Sequence, residues 1–215
     1  MKTRISRIIT LLGEEYPGAR IALEYSNTLE LLIATILSAQ CTDVTVNKIT
    51  PRLFSRYSSA GDYAGAAVEE LEQIIKPCGF YHAKARSIMG AAGMIHHKYS
   101  GMVPRTMAEL VTLPGVARKT ANVVLYNGYG ISEGIAVDTH VRRLSRLLGL
   151  SRHNEPEKIE KDLMEIVPRD QWGRITYLLI EHGRRICIAR RPRCERCVLA
   201  GLCPSANTGI KQPRN

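Results

Sequence analysis

Aromatic residues are scarce in this chain, with two Phe, one Trp and nine Tyr among 215 residues. That argues against a platform for single-stranded nucleic acid, on which successive bases stack against rings. Long apolar runs are also missing, and none approaches the eighteen or so residues needed to cross a bilayer. The start, MKTRISRIITLLGEE, pairs a basic end with a short apolar run, but it meets Glu14 and Glu15 without a small-residue cleavage site. A signal peptide is therefore not expected. Strand-like alternation is rare and no internal repeat is visible. Acidic charge is in deficit, 20 Asp and Glu facing 30 Lys and Arg for a net charge of +10. An excess of six positive charges falls in residues 181–215. A basic surface of this kind suits a polyanion, and with few aromatics duplex DNA is favoured over a single strand. A chain this long can bury one good core or two small ones sharing an interface.

What is abundant is helical periodicity. Ile5, Ile8, Ile9 and Leu12 follow i, i+3, i+4, i+7, one face of a helix. Asn27, with Glu30 three residues on, predicts a cap for a buried helix through LELLIATILSAQ. Another helix starts near Asp43, with Pro51 expected to kink it or to begin a new one. Asp62 to Ile75 reads as one or two short helices broken at Gly65, and Phe80 to Lys98 as a longer one. Thr106 with Glu109 predicts a capped helix to Leu113. Further helices are expected over Ala117–Tyr126, Thr139–Leu148, Glu155–Val167 and Gln171–Cys187. The tail from Pro204 is polar and is expected to fray. The expected fold class is all-α.

Six cysteines remain to be placed. Cys187, Cys194, Cys197 and Cys203 are spaced C-x6-C-x2-C-x5-C, with Pro204 directly after the last. A four-cysteine zinc site usually brings two close pairs; here one pair is close, two ligands are single, and Cys-Pro closes the run, as in one iron–sulfur pattern. The spacing favours a [4Fe–4S] cluster over zinc or two disulfides. Such a cluster with its thiolates returns roughly two negative charges, so the basic excess around it survives. Cys41 and Cys78 are isolated beside apolar stretches and are assigned no chemistry. Clustered ligands plus two loose thiols suit a reducing compartment, and a soluble, cytoplasmic protein is expected.

LPGVARKTANVVL, residues 113–125, predicts a tight Pro114-Gly115 turn between two helices. Backbone N–H groups at the start of the second helix form a phosphate site that needs no base contact. An ordinary corner between two helices is the rival for a lone Pro-Gly turn, but the cysteine run strengthens the DNA reading. His96-His97 has no ligand partners nearby, and Gly128-Tyr129-Gly130 follows no strand, so neither is read as a site.

These segments, together with LLIATILSAQCTDVTVN, CGFYHAKA, IAVDTHVRRL and the HGR that precedes the cysteines, occur in an order that resembles the endonuclease III family. Its members are bifunctional DNA glycosylases and abasic-site lyases, and the resemblance covers nearly the whole chain. It implies a two-domain helical fold. Residues 22–132 would form a barrel carrying the helix–hairpin–helix at about 106–127. Residues 1–21 with 133–215 would form the cluster domain, including the polar tail 204–215. Duplex DNA would lie between the two with the damaged nucleotide flipped out. Ala117 stands where the family's hairpin has glycine, which slightly compromises close approach to phosphate.

Lys119 matches the family's catalytic lysine. An amine that attacks a sugar carbon must be neutral, whereas free lysine has a pKa near 10.4. A helix N-terminus and partial desolvation both disfavour an ammonium, and position 119 falls in the first turn of its helix. Asp138 matches the catalytic aspartate and also looks like the N-cap of the next helix. A carboxylate fixed in that way can stabilise a cationic sugar. Gln40 and Phe80 match positions that fill the gap and wedge the duplex, with core packing a rival for Phe80. Gly115, Ala117 and Arg118 belong to the hairpin contact. His140 either lines the pocket or supports the cap, and Arg190, Arg191 and Arg193 reach phosphates. The resemblance implies a monomeric base-excision repair enzyme. It would remove oxidised pyrimidines from duplex DNA through a lysine Schiff base, then cleave by β-elimination. The cluster would serve as a scaffold without a part in that chemistry. The alternatives are a related glycosylase with another lesion or mismatch preference, and a DNA-binding module without turnover.

Overall fold

The structure, a computed structural model, describes residues 2–206; most of the expected frayed tail lies outside the described residues. Among them there are eleven α-helices and no strand. The helices are α1 (Lys2–Glu15), α2 (Thr28–Leu37), α3 (Asp43–Arg56), α4 (Ala60–Ala64), α5 (Val68–Ile75), α6 (Tyr81–Lys98), α7 (Met107–Leu110), α8 (Arg118–Tyr129), α9 (Thr139–Leu147), α10 (Pro156–Ile166) and α11 (Trp172–Arg185). None is long and apolar enough to cross a membrane. The chain divides into two compact units, residues 22–133 and residues 1–21 with 134–215.

In the unit of residues 22–133, α2 is the central element, buried at every position from Leu31 to Leu37. Each fully buried Leu or Ile contributes about 1.5–3 kcal/mol. Asn27 Oδ1 accepts the Glu30 N–H at 3.0 Å, while the Glu30 carboxylate accepts the N–H of Ser26 rather than that of the cap. The helix ends three residues earlier than expected, because Gln40 takes the left-handed value φ 52 and folds the chain into a turn. α8 packs closely on α2: a Cβ on Gly128 would come within 2.8 Å of Thr28 Cγ2. Pro51 neither ends α3 nor begins a new helix. Its ring is exposed, and buried Val46, Ile49 and Leu53 on both sides hold the segment together. α7 stops at Leu110, short of Leu113, because the chain passes into successive tight turns, Thr112 N–H to Glu109 O and Leu113 N–H to Leu110 O.

The other unit is built on the α1 stripe. Ile5, Ile8, Ile9 and Leu12 enter one core with Leu144, Leu148, Ile159, Leu163, Ile175 and Leu178. Cys187, Cys197 and Cys203 pack against the same core, so the cysteine loop rests on helices α1, α9 and α11. Arg4 donates to the carbonyls of Leu202 and Leu148 and ties α1 to that loop.

Candidate DNA repair site

The hairpin is a four-residue turn closed by Val116 N–H to Leu113 O at 3.1 Å. Pro114 occupies its second position and Gly115, at φ 76, its third, the pattern of a type II turn. Only glycine fits there. Besides the positive φ, a Cβ on Gly115 would stand 2.7 Å from Ser87 Cβ on α6. Pro114 in turn lies over Gly90, where a Cβ would meet its Cγ at 3.1 Å. Ala117 then caps α8 with extended backbone and no side-chain cap, so no capping side chain accepts from the first-turn N–H groups, which give the helix end a partial positive charge. Lys119 is the second residue of α8 and is exposed. The protein alone thus leaves Lys119 exposed, against the partial desolvation expected for it.

Asp138 caps α9, its Oδ1 accepting the Val141 N–H at 2.8 Å. His140, the second residue of α9, packs over Gly183 of α11, where a Cβ would meet its Nδ1 at 2.8 Å. Glycine in the HGR segment therefore lets α9 and α11 approach. Gln40 and Phe80 share two features, an exposed side chain and a left-handed backbone at φ 52 and 48. Phe80 is 67% exposed, which removes core packing as its role.

Cys187, Cys194, Cys197 and Cys203 are free thiols lining one cavity, together with Leu144, Leu147, Leu148 and Ile186. Among the described residues no three His, Cys, Asp or Glu side chains converge tightly enough for a single ion. Four sulfurs spaced around an apolar cavity fit a polynuclear cluster better than one zinc. Burial pushes the Cys187 and Cys197 thiols up, so a metal must stabilise their thiolates. Arg190, Arg191 and Arg193, in the loop between the first two cysteines, are all exposed.

Three supporting residues carried no assigned role in the sequence. Arg143 donates to Cys187 O and Gly183 O and reaches Cys187 Sγ at 3.7 Å. Buried His182 lies between Tyr16 Oη at 3.1 Å and Cys197 Sγ at 3.4 Å. Burial, with the Arg143 charge adding to it, lowers its pKa to about 4. A neutral ring protonated at Nε2 accepts from Tyr16 and donates to the sulfur. Donors of this kind orient ligands and tune a cluster. HGR and DTHVRRL hinted at both, but their partners lie far away in sequence. Lys84, buried in the other unit, is the third.

Residues 33–169 match the family model of the HhH-GPD superfamily base excision DNA repair protein, and residues 187–203 match the iron–sulfur binding domain of endonuclease III. The chain is 50% identical to endonuclease III of Synechocystis sp. over 205 residues, 95% of this chain and 94% of that protein. It is 46% identical to the Bacillus subtilis endonuclease III over 193 residues, 89% and 88% of the two chains. A trapped endonuclease III–DNA covalent intermediate in an estranged-adenine complex superposes with a TM-score of 0.91. Its identity is 44%, and 96% of this chain and 97% of that one are covered.

Proposed function

The chain belongs to the endonuclease III family of helix–hairpin–helix base excision repair proteins, and from that membership we propose how its residues divide the work. It is a DNA glycosylase with abasic-site lyase activity and a [4Fe–4S] cluster. The substrate in this reading is duplex DNA carrying an oxidised pyrimidine, handled by a monomer among chromosomal DNA in a reducing compartment. The six unpaired thiols support that compartment.

Lys119 Nζ attacks C1′ of the damaged nucleotide, and the base leaves with the bonding pair and takes up a proton. Opening of the sugar ring gives an imine to Lys119. Loss of a C2′ proton then expels the 3′-phosphate, and water releases the lysine. Because Lys119 is exposed, the desolvation a neutral amine needs is left to the covering duplex. Asp138, fixed as a cap, stabilises the cationic sugar. The first-turn amides after Gly115 and Ala117 hold a phosphate with Arg118 beside them. Gln40 and Phe80 enter the stack where the nucleotide has left, His140 supports the Asp138 turn, and the three arginines contact phosphates. Cys187, Cys194, Cys197 and Cys203 hold the cluster, which braces that basic loop. One observation carries this reading: Lys119 sits in the first turn of α8, directly behind a hairpin that only Gly115 can form. Borohydride reduction during turnover tests it, since an imine at Lys119 becomes a stable cross-link to the cut strand.

A further inference from the structure

Cys41 and Cys78 lie in the unit of residues 22–133, apart from the four-cysteine loop. Cys41 follows Gln40 in the turn after α2, its N–H bonded to Ser38 O at 3.1 Å, and its side chain is half-buried. Cys78 ends the 3-10 turn Lys76–Cys78 and is buried. The two segments meet, and the Cys78 thiol lies within hydrogen-bonding reach of the Cys41 sulfur.

Between them stands Lys84, 6% exposed. Its ammonium donates to Leu37 O and Cys78 O, each at 2.8 Å, clamping the end of α2 to the turn that holds Cys78. A buried cation normally pairs with a carboxylate. Here burial lowers the Lys84 pKa, and the ionisable groups that oppose it are the two sulfurs. A thiolate beside it would offset the cost of burying the ammonium, and a cation beside a partly exposed thiol is the setting of reactive cysteines. Cys41 is the half-buried and so more accessible sulfur, while Cys78 is buried, and burial pushes the Cys78 thiol up to about 12.

We propose that Cys41 and Cys78 form a redox-active dithiol site that a hydroperoxide closes to an intramolecular disulfide, with Cys41 as the attacking sulfur and Lys84 as its positioning cation. The Cys41 thiolate attacks the terminal peroxide oxygen. An S–O bond forms, the O–O bond breaks, and the departing oxygen takes the proton that Cys41 released. Cys78 sulfur then attacks the sulfenic acid. The S–S bond forms, and hydroxide leaves as water with the Cys78 proton. Two thiols are oxidised and one peroxide is reduced to water or alcohol and a second water. The product joins the turn bearing Gln40 to the turn bearing Phe80.

The test uses holoprotein reduced and then handled anaerobically, treated with stoichiometric hydrogen peroxide, alkylated, and digested without reductant. Wild type should yield a peptide linking Cys41 to Cys78, lost on adding dithiothreitol, with cluster absorbance unchanged. Cys78→Ser should give no link and leave Cys41 trapped by dimedone as its sulfenic acid. Cys41→Ser should give neither link nor dimedone adduct. Lys84→Met should slow linkage on the order of tenfold; if it does not fold, the two serine variants decide alone. The proposal is overturned if wild type shows no linked peptide, if the cluster bleaches before any link forms, or if the dimedone adduct appears at Cys78 in Cys41→Ser. Linkage at the wild-type rate in folded Lys84→Met overturns the part given to the lysine.

Discussion

Gly115 and Ser87 touch so closely that a methyl on the glycine would stand 2.7 Å from the serine Cβ. The hairpin is therefore shaped by α6 as well as by its own turn. Gly115→Ala should destabilise the protein by about 2–4 kcal/mol, combining left-handed strain with overpacking. It should weaken binding to damaged and undamaged duplex alike. Thermal denaturation and titration check both effects. Adding Ser87→Gly should recover the steric part and leave the strain; no recovery would mean that Ser87 is not the obstacle.

Lys119→Gln should still bind abasic duplex, because the hairpin amides remain. It should fail at base release and strand cleavage together, since one amine serves both steps. Borohydride should cross-link wild type and not Lys119→Ala. Trapping by Lys119→Ala would assign the chemistry to another amine.

Asp138 has a capping role and a proposed electrostatic one, and two variants separate them. Asn is as good an N-cap as Asp, so Asp138→Asn should keep the thermal midpoint while base release slows on the order of 10²-fold. Asp138→Ala should also lose about 1 kcal/mol of stability. Full single-turnover rate in Asp138→Asn would leave only the cap.

Arg190, Arg191 and Arg193 are exposed on one loop. Replacing any one by Gln should lower the slope of log affinity against log salt by about one unit, equally for every duplex. A loss confined to a single lesion would assign that arginine to the base instead.

Cys197 takes a contact from His182 at 3.4 Å and packs against the core. Holoprotein should be brown with about four irons per chain. Cys197→Ser should lose iron and then DNA affinity as the arginine loop loses its brace, with the unit of residues 22–133 still folded by circular dichroism. Stoichiometric zinc in anaerobically prepared wild type would refute the cluster.

By itself the sequence determined whatever short-range chemistry decides. The Asn27, Thr106 and Asp138 caps, the Pro114-Gly115 turn, the α1 stripe and the cysteine spacing each involve groups a few residues apart. Their hydrogen bonds or periodicity are set before the chain folds on itself. Whether Pro51 begins a new helix and whether Lys119 is desolvated both depend on packing. Buried residues on both sides of Pro51 belong to one continuous α3, and Lys119, in the first turn of α8, is exposed. Only the tertiary structure decided that Phe80 is a surface residue, that Ser87 forbids a side chain at 115, and that Arg143 and His182 attend the cluster sulfurs. The same holds for Lys84, Cys41 and Cys78, where long-range packing buries a cation between two thiols that the sequence shows only as isolated residues.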